Sequence, residues 1–308
     1  MSPDVNVRAR SAGSLLVCLF MLLAAVPAFA QVTAFSEDVH DAIDRGLDYA
    51  AAQNWFINGC PPAGHGDGTG LMALALLEKR ADANQNALSQ GYVNSNAIDQ
   101  ARADLVINRI IQRVDASAPN GFLAYQDGAD LMALALYWRT GGPDQAGSLA
   151  AVNKLFDRIE TNQLASGYWC YSPGQQCNDS STTQLVMAGL AGARGVFLAN
   201  GDAARAASVN QLTLNARNAY AANGAAGGDG VNDPDERGHG YNAGNRNSLQ
   251  QTASGIWSQL AGGADVNDAS VQQYIKWIYN RYQYGGFSYS GGWGGSHYYF
   301  LWAFEKAM

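Results

Sequence analysis

A chain of 308 residues that is 47% hydrophobic and only 15% charged carries enough apolar material for one large buried core or two small ones. Its formal charge is −7, from 26 acidic and 19 basic side chains, and 35 glycines are spread along it. A mildly acidic, Gly-rich, sparsely charged chain argues against nucleic acid or an anionic membrane surface as partner.

The first element is a leader. Arg8 and Arg10 precede an apolar run from Leu15 to Val26, and Ala28-Phe29-Ala30 has the small-x-small form of a cleavage site. Residues 1–30 are therefore expected to be a secretory signal peptide, with Gln31 the first residue of the mature protein. The run is shorter than the roughly 20 apolar residues that a bilayer span needs, and no second stretch is a better candidate. The expected destination is the periplasm or the exterior, with no stable membrane span after cleavage. Loss of Asp4, Arg8 and Arg10 moves the formal charge from −7 to −8. Cys18 leaves with the leader, so Cys60, Cys170 and Cys177 remain. Exported cysteines meet oxidising conditions. Cys170 and Cys177 share one loop and are the first choice for a disulfide. Cys60 with either is the rival, and one thiol is left over.

Glu37 to Gln53 follows, with Val39, Ala42, Ile43, Leu47 and Ala50 at helical spacing on one face. A loop rich in Pro and Gly leads to Asp67 and the segment DGTGLMALALLEKR, apolar nearly all round as a doubly covered helix should be. The alternation repeats. Ile98 to Val114 is amphipathic, and the segment QDGADLMALALYWRT is again apolar. Leu71–Leu76 and Leu131–Leu136 are the same hexamer, LMALAL, each following an Asp-Gly turn about 60 residues apart, which marks an internal repeat. The third pair is Ser148–Gln163 and a helix from Asp179 to about Leu198. The fourth is Asp202–Ala221 and Asn247–Leu260. The fifth is Val266–Tyr282 and the terminal SHYYFLWAFEKAM. Five such units predict an all-α fold of two concentric layers. The apolar second helices form an inner ring, the amphipathic first helices wrap them, and all the long loops lie at one end. Small residues on the inner helices allow close approach.

The units GYWCYSPGQQCNDSSTTQLVMAGL and DAIDRGLDYAAAQNWFING, with the ending SHYYFLWAFEKAM, resemble the prenyltransferase and squalene-cyclase repeat in its exported, uncharacterised branch. The resemblance covers about residues 36–308 and implies an α/α toroid over residues 31–308. A full toroid of that family has six hairpins, one more than the five units counted here. It also implies a ligand in the central cavity, at the end where the inner helices begin.

The family's catalytic motifs do not carry over. Its zinc enzymes use an Asp, a Cys and a His. His297 stands near the start of a late inner helix, as the family's His does, but the matching Asp-x-Cys pair is missing. The acid motif of its cyclases has only Asp233-Pro234-Asp235-Glu236 as a counterpart, inside a loop. The first expectation is accordingly a non-catalytic protein that binds a ligand or a protein partner at the cavity rim. The alternative is an enzyme acting on a carbohydrate, isoprenoid or other lipid, with Asp130 or His297 as acid–base. Asp127 and Asp130 are then the close carboxylate pair, on one face of a helix by their spacing. A zinc-dependent transferase is the weaker rival. Aromatic side chains expected to line the cavity are Tyr125, Trp169, Tyr171, Tyr241, Trp293 and Tyr298. Asp229, Asp233, Asp235 and Glu236 on one turn-rich loop are oxygen ligands of the kind calcium takes. Asp67, Asp127 and Asp179 are also expected to cap the helices they open.

Overall fold

The computed structural model describes residues 32–60, 66–84, 86–225, 235–282 and 297–307, excepting the side chains of His297 and Tyr298. The leader read over residues 1–30 lies outside them. The fold is all-helical: eleven helices and no strand occur among the described residues. In chain order they are α1 Ala34–Ala52, α2 Trp55–Asn58, α3 Thr69–Leu77, α4 Ala97–Ala116, α5 Ala124–Arg139 and α6 Gln145–Thr161. Then come α7 Ser180–Ala199, α8 Ala203–Asn223, α9 Leu249–Ala261, α10 Ala269–Arg281 and α11 His297–Ala307. None of them is long and apolar enough to cross a membrane.

Two kinds of helix alternate, and their burial follows their composition. In α4 only one stripe is buried, through Ala103, Val106, Ile107, Ile110 and Val114. That is the i, i+3, i+4, i+7 signature of a helix packed on one side. In α7 every residue from Ser180 to Leu190 is buried, so this helix is covered all round. Starts are set by side-chain caps. Asn96 accepts from Asp99 N–H, Asp144 from Gly147, Asp202 from Arg205 and Ser248 from Gln251.

The helices α3, α5, α7, α9 and α11 each pack against the next in that order. Against them lie α4 on α3 and α5, α6 on α5 and α7, α8 on α7 and α9, and α10 on α9. Cross-contacts show that the first set runs one way. Ser180 at the start of α7 meets Gln251 at the start of α9, Oγ to Oε1 2.6 Å. Further along, the Trp257 and Trp302 rings of α9 and α11 meet edge-on at 6.1 Å. At the far ends Lys306 Nζ of α11 is 3.5 Å from Glu78 Oε1, just past α3.

Small residues bring α5 and α7 together as the composition suggested. A Cβ on Gly128 would stand 2.6 Å from the Leu185 carbonyl carbon, and one on Gly189 would stand 2.6 Å from the Gly128 carbonyl oxygen. Here glycine is required by the approach of two backbones.

One expectation needs correction. The segment at Asp67–Arg80 is apolar nearly all round, yet α3 is not covered on all sides: Leu71 is 48% exposed. Its partner α1 packs on the short helix α2 instead, and an open groove of about 550 Å³ separates α1 from α3. Phe35, Val39 and Ile43 line that groove and remain exposed.

Candidate functional site

The long loops that precede α5, α7 and α9 converge where those helices begin. Ala124 N–H donates to Tyr171 O at 3.0 Å, which ties the 167–177 loop to the start of α5. Ser180 N–H donates to Tyr241 O at 3.0 Å, and Ala243 N–H to Asn178 O at 3.2 Å, which ties the 238–247 loop to the start of α7. The Cys170–Cys177 disulfide closes the first of these loops, and Cys60 is a free thiol.

Beside these ties lies an open, shallow cavity of about 360 Å³ bordered by Tyr171, Gln175, Gln176, Asp179, Tyr241 and Asn242, with the disulfide in its wall. Tyr125 stands beside it, its ring 5.6 Å from that of Tyr171. Three of the aromatic residues expected at the rim, Tyr125, Tyr171 and Tyr241, are therefore gathered there.

Asp179 is the charged group of the site and is fully buried. Its Oδ1 accepts from Ser181 N–H and Thr182 N–H, both at 2.9 Å, and from Ser181 Oγ at 2.6 Å. It is thus the N-cap of α7, as expected. Among the described residues its Oδ2 has no hydrogen-bond partner, and neither does Asn242 Oδ1. Burial pushes the Asp179 carboxyl up, while the bonds from Ser181 and Thr182 oppose the shift. The Tyr125 hydroxyl bonds Ser181 Oγ at 2.5 Å, so a chain Tyr125–Ser181–Asp179 links the starts of α5 and α7. Below it lies a neutral polar layer that sequence reasoning did not single out. Gln184 Nε2 donates to the Tyr299 hydroxyl, and Gln184 Oε1 accepts from Ser254 Oγ at 2.5 Å. Gln184, Gln251 and Ser254 are all buried. Their signal in the sequence was polar residues in the first turns of otherwise apolar helices.

Other expected residues sit elsewhere. Trp169 is not at the rim. It is fully buried in the main apolar cluster, with its indole N–H donating to Ile159 O at 2.8 Å. Asp127 and Asp130 do share a face of α5, but that face points at α4 and α6. Asp130 is paired with Arg113 of α4, which also holds Asp67. Neither Asp127 nor Asp130 borders the rim cavity. Both are fully buried, and burial raises both carboxyls. Asp127, further raised by the Asp130 charge, reaches about 7. Asp127 accepts only a long bond from Leu123 N–H, 3.4 Å, and lies within the first turn of α5 rather than at its cap position.

Asp67 accepts from Thr69 N–H at 3.0 Å, a local turn at the start of α3. Two of the four acids proposed for calcium are ion-paired. Glu236 is fully buried against Arg281, with Arg281 Nη1 3.0 Å from its Oε2, and Asp235 lies 2.5 Å from Lys276 Nζ. A carboxylate sealed against a guanidinium does not fit a calcium shell. Asp229, Asp233 and Trp293 lie outside the described residues, as do the side chains of His297 and Tyr298. Cys170 and Cys177, joined to each other, cannot serve as zinc thiolates.

A second cavity, of about 310 Å³, lies at the opposite ends of the same helices. It is bordered by Glu78, Met132, Leu136, Arg139, Trp257 and Lys306, among others, so α3 or its C-cap, α5, α7, α9 and α11 all reach it. Neither Asp127 nor Asp130 borders this cavity either. Compared with family models, curated proteins and solved structures, the chain matches none of them.

Proposed function

We propose that this is an exported, non-catalytic binding protein built as an α/α toroid of the prenyltransferase and squalene-cyclase-like kind, taking its ligand at the rim where the inner helices begin. The observation that carries the reading is the rim cavity itself. Tyr171, Tyr241 and the capped but half-satisfied Asp179 converge in a space of about 360 Å³. That size falls within the range of small-molecule sites, and an aromatic wall with a few convergent polar groups is their usual lining. The single direction of α3, α5, α7, α9 and α11, and their shared cavity at the far end, support the ring. The disulfide and the lack of a spanning helix among the described residues fit an exported protein.

The enzymatic alternative asks for a carboxylate within reach of a substrate. Asp130 is spent on Arg113, Asp127 is sealed against the outer-layer helices, and Asp179, the carboxylate beside the rim cavity, is fully buried as the cap of α7. The binding reading is tested by NMR of the labelled mature chain against a panel of glycosides, short acyl carboxylates, methylammonium and peptides. Shifts are expected at the amides of Tyr171, Tyr241 and Asn242. A panel whose binders shift only residues remote from the rim rejects it.

A further inference from the structure

The groove between α1 and α3 is a position in the repeat that the chain leaves unfilled. Each of α5, α7 and α9 is flanked by two long outer helices: α4 and α6, α6 and α8, α8 and α10 respectively. The inner helix α3 has one, α4, and beyond it only the four-residue α2. On its uncovered side Leu71 is exposed, one turn from Leu74 and Ala75, which line the groove of about 550 Å³. The other wall is α1, of whose 19 residues only Ser36, Leu47 and Ala50 are buried. Its Phe35, Val39 and Ile43, at i, i+4 and i+8, form one exposed apolar stripe along the groove. No other helix among the described residues exposes three large apolar side chains at that spacing.

Shape, area and charge name the occupant. A slot beside an apolar inner helix is what an amphipathic helix fills elsewhere in this fold, and α1 is the helix whose stripe has no cover. Stripe and slot lie on the same patch, the self-complementary arrangement that a two-fold interface requires. The exposed area of Val32, Phe35, Val39, Ile43 and Leu71 is on the order of 400 Å², close to the apolar share of the roughly 800 Å² that each partner of a stable dimer buries. Arg80 with Glu78 and Asp82 edges the groove with both signs of charge, as the polar rim of such an interface does. By helical spacing Glu37 and Asp41 lie on the face of α1 opposite Val39, so two α1 helices can meet without bringing these acids together.

Going beyond the rim-binding reading and independent of it, we propose that the mature chain forms an isologous dimer through this groove. Each α1 lays Phe35, Val39 and Ile43 into the slot between α1 and α3 of the second copy, with the two α1 helices antiparallel and Val39 at the two-fold axis. Each copy thereby supplies the second outer helix that α3 of the other lacks.

The test is analytical ultracentrifugation of the mature chain from about 1 to about 100 μM, where a reversible monomer–dimer equilibrium is expected. Phe35→Ser and Val39→Glu alter exposed positions, so the circular dichroism spectrum should stay that of the parent, while each weakens association about tenfold or more. Leu105→Ser, on the exposed side of α4, should leave association unchanged. In a Cys60→Ser background, with oxidised glutathione as oxidant, Val39→Cys should give a covalent dimer and Leu105→Cys should not. A chain that stays monomeric throughout overturns the proposal; if that monomer binds a labelled amphipathic peptide of unrelated sequence in the groove, the slot belongs to another protein. Association unchanged in both Phe35→Ser and Val39→Glu, or cross-linking through position 105 as readily as through 39, also overturns it.

Discussion

The guanidinium of Arg113 on α4 and the carboxylate of Asp130 on α5 form an ion pair between those two helices, Asp130 being fully buried. The same guanidinium reaches Asp67 ahead of α3, so one cation joins three consecutive elements. Arg113→Met should leave Asp130 buried and unpaired and cost about 3–5 kcal/mol in urea denaturation. Adding Asp130→Asn in the same chain should recover most of that loss. Equal destabilisation in the single and double variants would show that the pair is not what holds these layers.

Asp127 gives a pH dependence of the opposite kind from an ordinary paired carboxylate. Burial, then the neighbouring Asp130 charge, raises it to about 7, above its unfolded value. The folded state then binds more protons than the unfolded one between about pH 4 and 7, so this group's contribution is lost as pH rises through that window. Asp127→Asn should flatten the fall in Tm across it and raise Tm above pH 7 by several degrees, with little change near pH 4. Calorimetry across that range is the check.

The crossing of α5 and α7 at Gly128 predicts a contrast between two glycines. Gly128→Ala places a Cβ 2.6 Å from the Leu185 backbone and should cost about 1–3 kcal/mol or more. Gly46→Ala on α1 meets nothing within 4 Å and should stabilise by about 0.5–1 kcal/mol through helix propensity. Chemical denaturation of both variants measures the difference.

The disulfide closes a loop with a sequence separation of 7, which by chain entropy is worth about 2–3 kcal/mol. Replacing both Cys170 and Cys177 by Ser should lower stability by about that much and loosen the wall of the rim cavity. Amide exchange should then rise at Tyr171 and Gln175 before it rises in α7. Uniformly unchanged exchange in this loop would count against its role as a wall.

The residues themselves determined the helical class and the alternation of amphipathic with largely apolar helices, and made Cys170 with Cys177 the first choice of disulfide over Cys60 with either. These features are local: apolar spacing, capping residues and a short loop between two cysteines act over a few residues. Asp179 as a cap was legible for the same reason. Only the tertiary structure decided which face of α5 meets which layer. Asp127 and Asp130 were placed together by helix spacing, but Arg113 lies on a different helix, and its position turns that face away from both cavities. Trp169 likewise went to the core because a buried carbonyl, Ile159 O, took its N–H. The rim site joins Tyr125 in the first turn of α5, Asp179 at the cap of α7 and Asn242 of the 238–247 loop, through backbone bonds that no local pattern announces. Helix content follows from short-range physics, whereas the site depends on which loops the packing of parallel helices brings to one end.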